Sequence, residues 1–122
     1  MFGFKLRRGE PGRAQAGRAD RRLHPRRLIN VAGVVSAPGL EMGCIIIDLS
    51  DGGMRLRLDR GTALPAEIAV IDVAEGVAYP GVLVWQRRHE AGLRQTGAVS
   101  LRGLVPARMA GARDAWRRAG GR

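Results

Sequence analysis

Gly43-Cys44-Ile45-Ile46-Ile47-Asp48-Leu49-Ser50-Asp51-Gly52-Gly53-Met54-Arg55-Leu56-Arg57-Leu58-Asp59 carries two apolar patterns on either side of one turn. After the turn, Met54, Leu56 and Leu58 alternate with Arg55, Arg57 and Asp59. A period of two sends successive side chains to opposite faces, which makes a strand with one apolar and one wet face. Before the turn, three consecutive isoleucines form a run too short for a helix and strongly β-forming. Asp, Ser and Gly between them are turn residues, through side-chain hydrogen bonds to nearby backbone and through conformational freedom. The stretch reads as two strands and a hairpin corner.

The neighbouring segments repeat the pattern. Leu28 to Val35 is rich in β-branched residues and ends at the turn Ser36-Ala37-Pro38-Gly39. Glu67 to Val73 is bounded by Pro65 and by Glu75-Gly76. Tyr79 to Gln86 follows, with Leu83 and Trp85 on one face and Val82 and Val84 on the other. Arg87 to Gly92 reads as a turn, and Leu93 to Leu101 as a last, irregular strand. Six short strands at close spacing suggest an antiparallel barrel or sandwich, and a barrel removes the exposed edges of a small sheet. The chain then changes period. Val105, Met109, Ala112 and Trp116 recur at helical spacing, with Pro106 at the first turn and Gly120-Gly121 at the end. This stripe is expected to pack on the barrel, with partner binding as the other use of Trp116. Residues 1–20, rich in Gly, Arg and Ala, are expected to form a disordered basic tail. The alternation of Phe2, Phe4 and Leu6 offers a short docked strand as the alternative. The expected organisation is a tail over 1–20, a barrel over 21–104 and a closing helix over 105–119.

Composition narrows the function classes. The 122 residues suit one domain, and 4% aromatics leave the core to Val, Ile, Leu, Met and Ala. The net charge is +10, and every basic residue except Lys5 is Arg. Arg presents a planar fork to phosphates and guanine edges, so the balance favours an anionic partner, although GC-rich coding enriches Arg as well. The lone Cys44 excludes a disulfide within the chain and suits a reducing compartment. No apolar run is long enough to span a membrane, and Met1-Phe2-Gly3-Phe4-Lys5 is no secretory signal. The protein is expected to be cytoplasmic. His24, His89 and Cys44 make no metal-binding spacing. Ser50 lacks a base and orienting partner, Asp51 and Asp72 suggest no paired-carboxylate machinery, and no Gly-rich phosphate loop is present. No enzyme, cofactor or metal is expected.

Two stretches carry chemistry. Arg21-Arg22-Leu23-His24-Pro25-Arg26-Arg27 places four like charges in seven residues, which is either a solvated linker or an anion clamp. Asp48-Leu49-Ser50-Asp51-Gly52-Gly53 is either a plain hairpin turn or an acceptor site. In the second case Asp48 takes the N1–H and N2–H₂ donors of a guanine, Ser50 adds a contact or holds Asp48, and Gly53 lets a flat base lie close.

Arg22-Leu23-His24-Pro25-Arg26 followed by Asp48-Leu49-Ser50-Asp51-Gly52-Gly53 resembles the paired signatures of the PilZ domain family, Arg-x-x-x-Arg and Asp/Asn-x-Ser-x-x-Gly. Val84-Trp85-Gln86 with Gly92-Leu93-Arg94 is similar to the family's late hairpin. The resemblance covers about residues 20–104. It implies an all-β fold, a six-stranded antiparallel barrel with a C-terminal helix, and binding of cyclic di-GMP. It further implies that Arg22 and Arg26 grip phosphates and guanine edges, that Asp48 and Ser50 read a guanine, and that Gly53 permits close approach. Arg21, directly before the motif, implies an intercalated ligand dimer. With no effector domain in the chain, the signal would pass to a separate effector protein. Gln95 stands near where the family often has an aromatic, so a looser last strand is expected. Two other readings stay open: a PilZ-fold adaptor that binds no nucleotide, and a small basic barrel that binds nucleic acid. Against the last, the strands offer no evident aromatic stacking platform.

Overall fold

Six of the strands close into an antiparallel barrel. The structure, a computed structural model, describes residues 27–122. Its strands are β1 (Arg27–Ala37), β2 (Leu40–Leu49), β3 (Met54–Leu58), β4 (Glu67–Asp72), β5 (Val77–Arg87), β6 (Glu90–Gln95) and the short β7 (Val99–Ser100). They are ordered β4-β1-β2-β3-β6-β5, and β5 returns to pair with β4. β7 pairs with the start of β5, Val77 with Ser100. The expected tail and Arg21, Arg22 and Arg26 lie outside the described residues.

Turn chemistry sets the strand lengths. Ala37 pairs with Leu40, so only Pro38-Gly39 makes the first turn, and Gly39 takes φ +74°. Pro followed by a residue with positive φ is the signature of a type II turn. Ser36 and Ala37, expected in the turn, therefore extend β1. The turn expected over Arg87 to Gly92 is also shorter. Arg87 pairs with Glu90, leaving Arg88-His89, with Arg88 at φ +47°. The tie to β3 explains this tight turn without glycine: Leu58 N–H donates to His89 O at 2.6 Å, and His89 Nδ1 lies 3.2 Å from Leu58 O. The irregular last strand resolves into β6 and β7, separated by Thr96-Gly97-Ala98.

Two apolar clusters hold the molecule. The first fills the barrel with Val35, Met42, Cys44, Ile46, Met54, Leu56, Leu58, Ile68, Val70, Ala91 and Leu93. Full burial of a Leu or Ile side chain contributes about 1.5–3 kcal/mol, so this cluster dominates stability. The second lies outside the barrel, where Val34, Ile71 and Ala78 stand in register across β1, β4 and β5. A 3₁₀ turn (Ala107–Met109) and α1 (Ala110–Arg118) cover that wall with Met109, Ala112, Ala115 and Trp116. The apolar stripe read from the sequence thus packs on the barrel. Trp116 is 2% exposed and donates its Nε1–H to Val73 O at 2.8 Å. The Arg102 guanidinium lies over its ring, 5.7 Å from the centroid, and donates to Glu75 O and Ala74 O. At the end of α1, Arg118 makes a fork with Glu41 of β2, which holds the Glu41 carboxyl below its usual range. Both groups are exposed, so this pair contributes little. No helix among the described residues is long and apolar enough to cross a membrane.

Cys44 is buried against the core, and burial, helped by the charge of Asp59, pushes its thiol up to about 12. An unfolded thiol ionises near 8.5. A raised folded value contributes stability below the unfolded pKa that is lost as pH rises toward the folded one. Stability is therefore expected to fall between about pH 9 and 12, and to fall less steeply in Cys44→Ala. Denaturant melts of both proteins across that range check this; parallel curves would contradict it.

Candidate functional site

Alternation along β2 breaks at Ile47. Cys44 and Ile46 face the barrel interior, and regular alternation would send Asp48 the same way. Instead Ile46 pairs with Leu56 while Asp48 pairs with Arg55, which leaves Ile47 as an extra residue against β3. Leu49 then packs against the interior cluster, and Asp48 turns to the outer face. β1 makes a matching adjustment. Leu28 pairs with Asp48 and Val31 with Ile46, so Ile29 and Asn30 stand opposite the single Ile47.

A third bulge lies on β5. Leu83 pairs with Leu93 but Trp85 pairs with Gly92, so Val84 is the extra residue. Leu83 stays against the interior, while Val84 is 63% and Trp85 39% exposed. The expectation that Leu83 and Trp85 share a face is corrected: the inserted residue separates them.

The three bulges lie at one level and create a row. Leu28, Asp48, Arg55, Gly92 and Trp85 stand in register across β1, β2, β3, β6 and β5. Bulges bend a strand and increase its twist. Over this row lies a cleft of about 1010 Å³, and among the described residues its lining includes Asp48, Ser50, Gly53, Arg55, Trp85 and Arg94. α1 covers a different wall of the barrel.

The acidic corner is held in shape from several sides. Asp48 is 5% exposed, and Arg55 Nε lies 3.2 Å from its Oδ2. That contact is an ion pair without hydrogen-bond alignment, since among the described residues Arg55 Nε has no hydrogen-bond partner. The Ser50 N–H and hydroxyl both donate to Gly53 O, at 2.9 and 3.2 Å, which closes the corner with Asp51-Gly52 at its tip. Ser50 therefore holds the turn, and its hydroxyl oxygen keeps acceptor capacity. Gly52 does not use the left-handed region, and an added Cβ there would meet nothing within 4 Å. Gln95, expected only to loosen the last strand, donates from Nε2 to Ser50 O at 2.7 Å and ties the end of β6 to the corner.

Asp48, Ser50 and Gly53 are thus brought together on one cleft. Arg21, Arg22 and Arg26 fall outside the described residues, but β1 begins beside the corner. Arg27, the residue after Arg26, pairs with Leu49. Sequence reasoning missed Arg55, Trp85, Arg94 and Gln95. The available signal was Gly92: an added Cβ there would overlap the Trp85 indole, so only glycine lets that ring lie across β6. A large aromatic facing a glycine across a hairpin marks such an arrangement.

No curated protein matches the chain. A family model does, that of the PilZ domain, over residues 20–104. PilZ domains are binding and adaptor domains, and the family is one of cyclic di-GMP binders. The matched residues include every barrel strand and both sequence signatures, so the chain belongs to the PilZ domain family.

Proposed function

We propose that this chain is a cyclic di-GMP receptor whose ligand lies in the cleft over the bulged row, clasped by the arginine segment. The observation that carries the reading is the outward turn of Asp48 at Ile47, which puts a shielded carboxylate on a ligand-sized concave surface. The cleft lies at the upper end of the roughly 300–1,000 Å³ typical of small-molecule sites. Asp48 accepts from the guanine N1–H and N2–H₂. Ser50 and Gly53 shape the corner, and Arg22 and Arg26 take guanine O6 and N7 or the phosphates. Trp85 supplies a flat wall, and base–aromatic stacking is worth about 1–3 kcal/mol. Arg21 adds charge for a second, intercalated ligand. Among the described residues a single aromatic, Trp85, lines the cleft beside the acidic corner, which suits a small bounded nucleotide better than a continuous polyanion and disfavours the nucleic-acid reading.

The chain acts as a receptor and adaptor in the cytoplasm rather than as an enzyme. Without ligand, the charges of the arginine segment repel one another; with ligand, phosphates and guanines bridge the segment to the barrel. That change alters the surface offered to a separate effector protein. A ligand that binds only the folded state raises its stability. Cyclic di-GMP is therefore expected to raise the melting temperature, with GMP doing little. Equal shifts with the two nucleotides would refute the reading. Trp85→Ala is expected to weaken binding by roughly 5–150-fold, the equivalent of one lost stacking contact, with the unliganded melt little changed. Unchanged affinity in calorimetry would remove Trp85 from the site.

A further inference from the structure

The ladder between β3 and β6 stops at the edge of the candidate site. Met54 with Leu93 is its last pair, although β6 runs on to Gln95 and stays paired with β5 as far as Gln95 with Gly81. On the β3 side the chain has left the sheet to form the corner, residues 50–53. The bonds from the Ser50 N–H and hydroxyl to Gly53 O are internal to that corner. Among the described residues, the hydrogen bond that joins the corner to β6 comes from a side chain. Gln95 Nε2 donates to Ser50 O at 2.7 Å, between residues 45 positions apart in sequence.

Glutamine is a costly choice for that place. Side chains alternate along a strand, so Gln95 shares the inward face of Leu93, which belongs to the interior cluster. Its Oε1 is buried, and among the described residues nothing donates to it. A buried acceptor without a partner costs free energy, which an apolar side chain of the same length avoids. Stability alone therefore does not select glutamine here. What glutamine adds is a donor that fixes Ser50, two residues after Asp48 and three before Gly53. All three line the cleft. A site binds more tightly when its polar groups already hold the bound geometry, because less freedom is lost on binding. We propose that Gln95 is a positioning residue for ligand binding: its amide supplies the rung missing between β6 and the corner, and so holds Ser50 and Gly53 in the shape that receives the ligand. This role rests on the cyclic di-GMP reading of the cleft and adds to it a residue that need not touch the nucleotide.

Calorimetric titration with cyclic di-GMP, paired with a thermal melt of each unliganded protein, separates this role from a purely structural one. Gln95→Met keeps the length of the side chain but has no donor. It is expected to melt at or slightly above the wild-type temperature, since the unpaired acceptor is gone. Its affinity is expected to fall roughly 3–10-fold, about the worth of one hydrogen bond. Thr96→Val is the control, because the Thr96 hydroxyl donates to Pro80 O of β5, at 3.2 Å, rather than to the corner. It is expected to bind like the wild type whatever happens to its melt. Wild-type affinity in Gln95→Met would overturn the proposal. So would a loss of affinity matched by a fall in melting temperature, or an equal loss in Thr96→Val, since either marks a general loosening of the barrel. Failure of the wild type to bind would instead overturn the reading of the cleft, and this inference with it.

Discussion

Arg22→Ala and Arg26→Ala are each expected to abolish the rise in melting temperature caused by cyclic di-GMP while leaving the unliganded melt unchanged. Both residues precede the first described strand, which begins at Arg27, and arginine is not a core-forming residue type. The ligand, by contrast, loses a planar, charge-assisted contact of about 1–3 kcal/mol with each substitution. Lysine is a weak substitute, since it lacks the fork that matches guanine O6 and N7. Asp48→Ala should lose the shift as well, for a different reason: the guanine N1–H and N2–H₂ donors are left unpaired in a partly dry site, which costs more than the contact itself contributed. Thermal melts at matched salt, with and without nucleotide, check all three. An arginine variant that kept the wild-type shift would remove that residue from the site.

The second large effect falls on stability. Trp116→Ala is expected to destabilise the protein by about 3–5 kcal/mol, the usual range for truncating a buried aromatic. For a domain of this size that corresponds to a drop of roughly 12–40 °C in melting temperature. Trp116 is the largest side chain under α1, and its removal strips cover from Val34, Ile71 and Ala78. It also leaves Val73 O without its indole donor and Arg102 without the ring beneath it. Trp116→Phe retains most of the apolar area and should lose much less, on the order of 1 kcal/mol for the hydrogen bond plus some packing. Urea melts of the two variants separate these contributions. A loss below about 1 kcal/mol in Trp116→Ala would mean that the helix is only loosely held on the barrel.

The barrel was legible in the sequence because strand periodicity is local. Met54, Leu56 and Leu58 alternate whatever lies beside them, and all three are buried. The helical stripe was legible for the same reason, and Met109, Ala112 and Trp116 all pack inward. What escaped was everything that depends on a partner strand. Ile47 looks like the third of three equivalent isoleucines until its pairing with β3 leaves it over, and only that surplus turns Asp48 outward. Val84 likewise passes for one step of a regular alternation, which hid Trp85 as a cleft residue. Arg88-His89 carries no glycine, so the tight turn that sets the register of β5 on β6 had no signature of its own. The motif residues of the corner were nonetheless legible, since Asp48, Ser50 and Gly53 announce a turn by residue type. The cleft they border was not, because three bulges on three strands build it.

Calorimetric titration of the wild-type chain with cyclic di-GMP puts the most direct question to the idea that the arginine segment and the acidic corner share one ligand. The expected result is saturable binding of cyclic di-GMP that persists in excess GMP, at a stoichiometry approaching two ligands per chain. No saturable heat up to about 1 mM nucleotide, which leaves less than about 4 kcal/mol of binding free energy, would contradict it.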